Sequence, residues 1–362
     1  MKVILAIDTF KGCLTSIEAN QAAAEGIRRV FPDAAIVEIP VSDGGEGFID
    51  AFHAAIGGKL MEATVKDPLM RTVAARYLLK EETAVVEIAQ ASGLTLLTKE
   101  ERNPLVATSY GTGQLVADAV RQGARHIIIG LGGSATSDTG IGMLRALIDN
   151  FASHSHNPVS RYSGIWDDVE GLRDVRFTIA SDVNNPLCGE QGAAHVFAPQ
   201  KGATPEMVML LDERARKFAE ISARHFGFDR SQMPGAGAAG GLGYAFMQYM
   251  DAEYKSGIQL LLDNVGFKEK LRNTDFIVTG EGSADRQTLM GKLPMGILEQ
   301  SGKVPVRLIA GRVNDRDALL QAGFDRVECI NPQGIPPEEA MQKKVAQRNI
   351  SQTLLRWMQQ TG

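Results

Sequence analysis

The sequence predicts an α/β protein in which a doubly wound parallel sheet is interrupted by an inserted mixed α/β domain. Three observations lead there. Apolar runs of strand length alternate with amphipathic helical stretches at both ends of the chain, as βαβ units require. From about Leu60 the texture changes to short β-rich segments separated by charges. Polar glycine-rich segments recur at 42–47, 130–138, 234–243 and 279–285, each read as a turn, several of them just past a strand, where open α/β sheets bind ligands.

Val3 to Ile7 is an apolar run that reads as a buried parallel strand. Thr15-Ser-Ile-Glu18 is a capping box, whose hydroxyl and carboxylate satisfy the first free N–H groups of a helix through about Phe31, and Pro32-Asp33 stops it. Ala35 to Ile39 is the second strand, so Ser42-Asp-Gly-Gly-Glu-Gly47 follows its carboxyl end. Thr64-Val65, Val73 to Leu79 and Val85 to Ile88 suggest antiparallel strands. A helix from about Gly113 to Arg121, a strand His126 to Ile129 and a helix Gly140 to Ile148 come next, and residues 150 to 172 carry little periodicity, as a surface excursion would. Val175 to Ala180 is a strand ending at Ser181-Asp182-Val-Asn-Asn185-Pro186, and residues 204 to 224 form a long amphipathic helix. From about Phe276 the doubly wound texture returns, with strands Phe276 to Thr279, Pro305 to Ala310 and Arg326 to Ile330. The expected division is therefore 1–64 with 263–362 for a discontinuous first domain, and 65–262 for the insert.

At 362 residues the chain exceeds the usual single core of about 100–200 residues, so two domains are the default. Hydrophobic residues at 44% and charged residues at 22% suit ordinary buried cores. A net charge of -5 offers no basic excess for a phosphate backbone, which argues against nucleic-acid binding. Cys13, Cys188 and Cys329 fit neither a disulfide framework nor a metal site, and no segment approaches the ~18 continuous apolar residues of a membrane span. A cytoplasmic protein that contacts neither nucleic acid nor membrane is expected.

Two carboxylates within the glycine run, Asp43 and Glu46, exceed what a turn requires and suggest a ligand or a metal bridging to phosphate. Asp8 and Lys11 stand just after the first strand, where a ligand would lie, although a surface ion pair would look the same. Gly132-Gly-Ser-Ala-Thr136 could wrap an anion with N–H and hydroxyl donors, or be a loop whose Ser or Thr caps the next helix. Asp182 and Asn185 suit a metal ligand or a base, and equally an Asx turn before Pro186. Gly235-Ala-Gly-Ala-Ala-Gly240 matches the dinucleotide fingerprint in letters only, because no apolar strand precedes it. An anion cradle, or a small-residue turn for tight packing, are its two readings. There is no Walker A loop, since Gly58-Lys59, Gly291-Lys292 and Gly302-Lys303 each precede an apolar residue. Met143, Met247 and the six histidines read as packing and ordinary polar positions.

Taken in order, Asp8-Thr-Phe-Lys-Gly12, Pro40 to Gly47, Ser109-Tyr-Gly-Thr-Gly113, Ile129 to Thr136, Ser181 to Leu187, Phe197 to Gly202, Pro234 to Gly243, Ser256-Gly257, Thr279 to Gly282 and Gly291-Lys292 resemble the sequence blocks of the bacterial glycerate kinase family. The resemblance covers nearly the whole chain. It implies ATP- and Mg²⁺-dependent transfer of the γ-phosphate to D-glycerate, commonly giving the 2-phosphate, and a discontinuous flavodoxin-like domain with an inserted mixed α/β domain. Carried over, Lys11 would neutralise transferring phosphate, Asp182 would be base or positioner for the glycerate hydroxyl, and Asp43 and Glu46 would hold Mg²⁺. Gly132, Gly133, Ser134 and Thr136 would cradle an anion, with Asp8, Gly237, Gly240 and Lys292 among the substrate and phosphate contacts. Glu281 and Asp285 would complete the polar wall.

Three departures accompany the resemblance. The family's usual arginine falls on Ser283, leaving Arg286 as the nearest guanidinium; its usual proline falls on Ile7; and the 150–171 segment is short and lacks a glycine-rich stretch. The alternatives left open are a 3-phosphoglycerate-forming kinase, a kinase of another small hydroxy acid, and a non-catalytic hydroxy-acid sensor. A homodimer is compatible with these residues and not fixed by them.

Overall fold

The computed structural model describes residues 1–360 apart from Lys11, Asp43, Gly44, Glu46, residues 153–165, Asp167, Asp168 and Gly291. Its contacts divide the chain into two units, one of residues 1–43, 50–56 and 258–362, the other of 44–49 and 57–257.

The first unit is built on β1 (Lys2–Ile7), β2 (Ala35–Glu38), β9 (Phe276–Ala284), β10 (Val306–Val313) and β11 (Arg326–Cys329), in the order β11-β10-β9-β1-β2 with every pair parallel. Counted within the unit this is 2-1-3-4-5, consistent with the flavodoxin-like arrangement. Val3 to Ile7 is fully buried, as a central parallel strand covered on both faces must be. The helix Ser16–Arg28 starts on the expected capping box: Thr15 Oγ1 accepts from Glu18 N at 3.2 Å and Glu18 Oε2 accepts from Thr15 N at 3.1 Å. Its Ala19, Ala23 and Ile27 share a core with Ile350, Leu354 and Trp357 of the helix Lys343–Gln359. Each large side chain so buried contributes about 1.5–3 kcal/mol.

One expected turn is absent. Thr279 to Ala284 continues β9 as extended strand, because β10 stays in register beside it as far as Ser283↔Arg312 and Ala284↔Val313 and supplies the hydrogen-bond partners a turn would forgo.

The second unit carries β3 (Lys59–Lys66), β4 (Thr72–Lys80), β5 (Thr83–Glu87), β6 (His126–Gly130), β7 (Arg176–Ala180) and β8 (Glu253–Lys255), paired in that sequence. β3–β4 and β4–β5 are antiparallel, while β5 to β8 run parallel, so four carboxyl ends share one edge. β3 begins at Lys59, inside the stretch through 64 expected for the first domain, and pairs with β4 along its length. Solvent-facing β3 alternates in burial, whereas Ile127 to Gly130 in β6 is buried throughout. The helix Pro205–Phe226 is delimited as its sequence requires, by Thr204 accepting from Met207 N, proline in the first turn and Gly227 in the left-handed region after it. Most of the 150–172 excursion lies outside the described residues. Among the described residues no helix is long and apolar enough to cross a membrane, and Cys13, Cys188 and Cys329 are free thiols.

Candidate active site

A cavity of about 690 Å³ opens in the first unit at the carboxyl ends of β1, β9, β10 and β11, a span that includes the reversal of strand order between β1 and β9. At such a switch point the loops diverge and leave a crevice beyond the carboxyl ends of the strands. Asp8, Thr9, Glu281, Ser283, Lys292 and Arg312 are on its wall. Asp8 is held at the end of β1 by its own N–H, which donates to Gly280 O at 2.9 Å, and its Oδ1 accepts from Thr9 N at 2.7 Å. Glu281 is 8% exposed. One of its oxygens accepts from Thr288 Oγ1 at 2.6 Å and the other stands 3.6 Å from Lys292 Nζ. Burial raises the Glu281 pKa above the ordinary carboxylate value, against the lowering effect of Thr288 and Lys292. A buried carboxyl with a shifted pKa and a specific cation partner, set in a crevice, marks a functional-site candidate.

Asp285 is not on this wall. Its Oδ1 accepts from Gln287 N at 2.8 Å and it caps the turn 286–289, an assignment the local sequence Asp-Arg-Gln-Thr also fits. Arg286 does not replace a guanidinium at 283 either: its backbone N–H and side chain engage Asp315, and the side chain is 78% exposed. The guanidinium beside Ser283 belongs to Arg312, its cross-strand partner in β10. Sequence reasoning missed it because the two positions are 29 residues apart and meet only through strand pairing.

In the second unit, three expected segments meet at the parallel edge of the sheet. Gly132–Thr136 follows β6, Asp182 follows β7, and Ser256 follows β8. Asp182 Oδ1 accepts from Ser256 Oγ at 2.6 Å. Neither Ser134 nor Thr136 caps the helix Ile141–Phe151; its N-cap is Gly140, and Asp138, two residues earlier, accepts from Gly140 N and Gly142 N at 3.2 and 3.1 Å and from Ser109 N at 2.8 Å. Ser134 instead accepts from Lys201, whose Nζ donates to Ser134 Oγ at 2.7 Å and to Thr136 O at 2.6 Å. Lys201 is 2% exposed, and burial pulls its pKa down to about 7. A neutral amine has two N–H donors, which these two acceptors satisfy. Lys201 lay within a motif noted in the sequence, but its 65-residue separation from Thr136 hid its role.

Gly237 and Gly240 are where backbone meets backbone. A Cβ on Gly237 would lie 2.3 Å from Pro186 O, and one on Gly240, whose φ is +69°, would lie 2.0 Å from Thr136 O. Tight packing is thus sufficient reason for both glycines. Lys11, Asp43 and Glu46 fall outside the described residues. A second hollow of about 680 Å³, lined by Thr108, Tyr110, Asp138, Arg145 and Arg214 among others, includes none of the expected site residues.

The comparisons agree over the whole chain. The family model described as the glycerate kinase family matches residues 3–361. The glycerate kinase of Bacillus subtilis (strain 168) is 40% identical, over 94% of this chain and 93% of that one. The glycerate 2-kinase of Escherichia coli (strain K12) is 39% identical over the full length of both. A solved structure assigned to glycerate kinase 2 from Salmonella typhimurium LT2 superposes with a TM-score of 0.82 at 34% identity, covering 100% of this chain and 98% of that one. Motif order, an α/β architecture with a switch-point cavity and full-length identity lead to one conclusion: the chain belongs to the glycerate kinase family, whose members are phosphotransferases acting on an alcohol group.

Proposed function

We propose that this protein transfers the γ-phosphate of Mg-ATP to the 2-hydroxyl of D-glycerate, giving 2-phosphoglycerate and ADP, in the cytoplasm. The switch-point cavity with Asp8, Glu281 and Lys292 on its wall carries the reading. The full-length match to an E. coli relative named glycerate 2-kinase supports the choice of hydroxyl. Asp182 accepts the proton of the attacking hydroxyl, and the Ser256 hydrogen bond fixes one of its oxygens for that task. Lys11 neutralises charge on the transferring group and Lys292 keeps the Glu281 carboxylate oriented.

Among the described residues no group of three or more histidine, cysteine or acidic side chains gathers as a metal cage. Mg²⁺ in kinases takes only one or two carboxylates and completes its shell with water and phosphate oxygens, a demand that the two acids Asp43 and Glu46 would meet. Bound there with nucleotide, the ion would supply charge neutralisation on the phosphates.

The reading is tested by ADP release from Mg-ATP with and without D-glycerate, the product being identified by NMR. Glycerate-dependent release with a single 2-phosphoglycerate product is expected. A 3-phosphate product would move the attack to the other hydroxyl, and glycerate binding without release would identify a sensor.

A further inference from the structure

Among the described residues two cations, Lys292 and Arg312, stand on the wall of the 690 Å³ cavity, and one of them is already answered. Lys292 lies 3.6 Å from Glu281. Arg312 sits on β10 in register with Ser283 of β9. Side chains alternate along a strand, so Glu281 and Ser283 share a face, and their register partners Ala310 and Arg312 share it too. Arg312 is therefore planted one side-chain row, roughly 7 Å, beyond the row of Glu281 on the same side of the sheet.

The acids within reach are occupied. Glu281 is held by Thr288 and Lys292, and Asp315 by Arg286. Among the described residues Arg312 makes no ion pair or side-chain hydrogen bond, and the polar groups around it on the wall, Ser283 and Asn331, are neutral. The charges on the described wall sum to zero, with Asp8 and Glu281 against Lys292 and Arg312. With Lys292 answered by Glu281, Arg312 offers a ligand on this wall one positive charge.

We infer that Arg312 is a substrate-binding residue whose guanidinium takes the carboxylate of the hydroxy acid and so selects an acid over an uncharged polyol. The inference rests on the proposed function and names the contact that reads the substrate's charge. Two parallel N–H donors of a guanidinium match the two coplanar oxygens of a carboxylate, a fit that a lysine ammonium cannot reproduce.

The test is calorimetric binding of D-glycerate in the absence of nucleotide, and of Mg-ATP in the absence of glycerate, to the full chain and its Arg312→Gln and Arg312→Lys variants. For R312Q, D-glycerate affinity is expected to fall about tenfold to a hundredfold, with Mg-ATP affinity unchanged. R312K, which keeps the charge and loses the fork, should fall between, and both variants should melt within a few degrees of the wild type. In turnover, R312Q should raise the glycerate KM with a smaller change in kcat, and should narrow the preference for glycerate over glycerol. Unchanged glycerate affinity in R312Q, or a loss confined to Mg-ATP, overturns the assignment while leaving the kinase reading standing. A wild-type protein that neither binds nor phosphorylates D-glycerate overturns both.

Discussion

Each unit buries a charged side chain at the edge of its sheet, and the two are handled in opposite ways. In the first unit Glu281 is sunk into a cavity wall with a lysine beside it, and the cavity leaves room for a ligand. In the second, Lys201 is sealed among Ser134 and Thr136 with no acid in bonding contact, and burial brings its pKa to about 7. The comparison teaches that burial alone does not mark chemistry. A buried charge with a partner and open space is arranged to meet something; one whose donors are all spent on backbone and hydroxyl is arranged to hold a loop.

The largest effect that would sharpen this contrast is at Asp182. Replacing it with Asn should lower kcat by about a hundredfold or more with little change in melting temperature. A chain that fails to fold would instead return Asp182 to the turn-forming role before Pro186.

The next effect concerns Lys201 and is read as stability against pH. The unfolded lysine keeps its proton to about pH 10.5, whereas in the folded chain it is lost near pH 7. Between these values the unfolded state binds more protons, so folding stability rises with pH and the burial penalty is greatest below pH 7. Against Lys201→Met, the wild type should gain on the order of a few kcal/mol between pH 7 and pH 10 in denaturant titrations. A constant gap would mean that the amine stays charged, and the contrast with Glu281 would break.

Glu281 has the reverse sign. Its raised pKa lets the folded state hold a proton that the unfolded chain has released, so wild-type stability should decline relative to Glu281→Gln as pH rises from the ordinary carboxylate value to the folded one. Parallel pH curves for the two proteins would show that Lys292 cancels the burial cost. The smallest effect is a control within the same unit, remote in role: Thr15→Ala removes the capping box and should cost about 1 kcal/mol, with the glycerate KM unchanged.

Much of the architecture was legible because local rules and tertiary demands coincide. The capping box at Thr15, the buried run Val3–Ile7 and the proline-to-glycine limits of the helix Pro205–Phe226 follow from spacing alone. The 279–285 segment misled because Gly-Glu-Gly-Ser has turn composition, and only a neighbouring strand 29 residues away makes it extended. For Gly237 and Gly240 the cradle and tight-packing readings stayed level because sequence cannot show which backbone oxygen an added Cβ would meet, at 2.3 Å from Pro186 O and 2.0 Å from Thr136 O.

The sequence by itself determined the family, the alternation of strand and helix, and the segments that bear the chemistry, since these depend on order and periodicity along one chain. Only the tertiary structure decided which of those side chains share a wall. Asp8, Glu281 and Lys292 converge with Arg312 on one wall, Asp285 turns away to cap, and Lys201 is spent on Ser134 and Thr136 in the second unit. Strand register and close packing set those neighbours, and both are properties of pairs of segments that no single stretch of sequence contains.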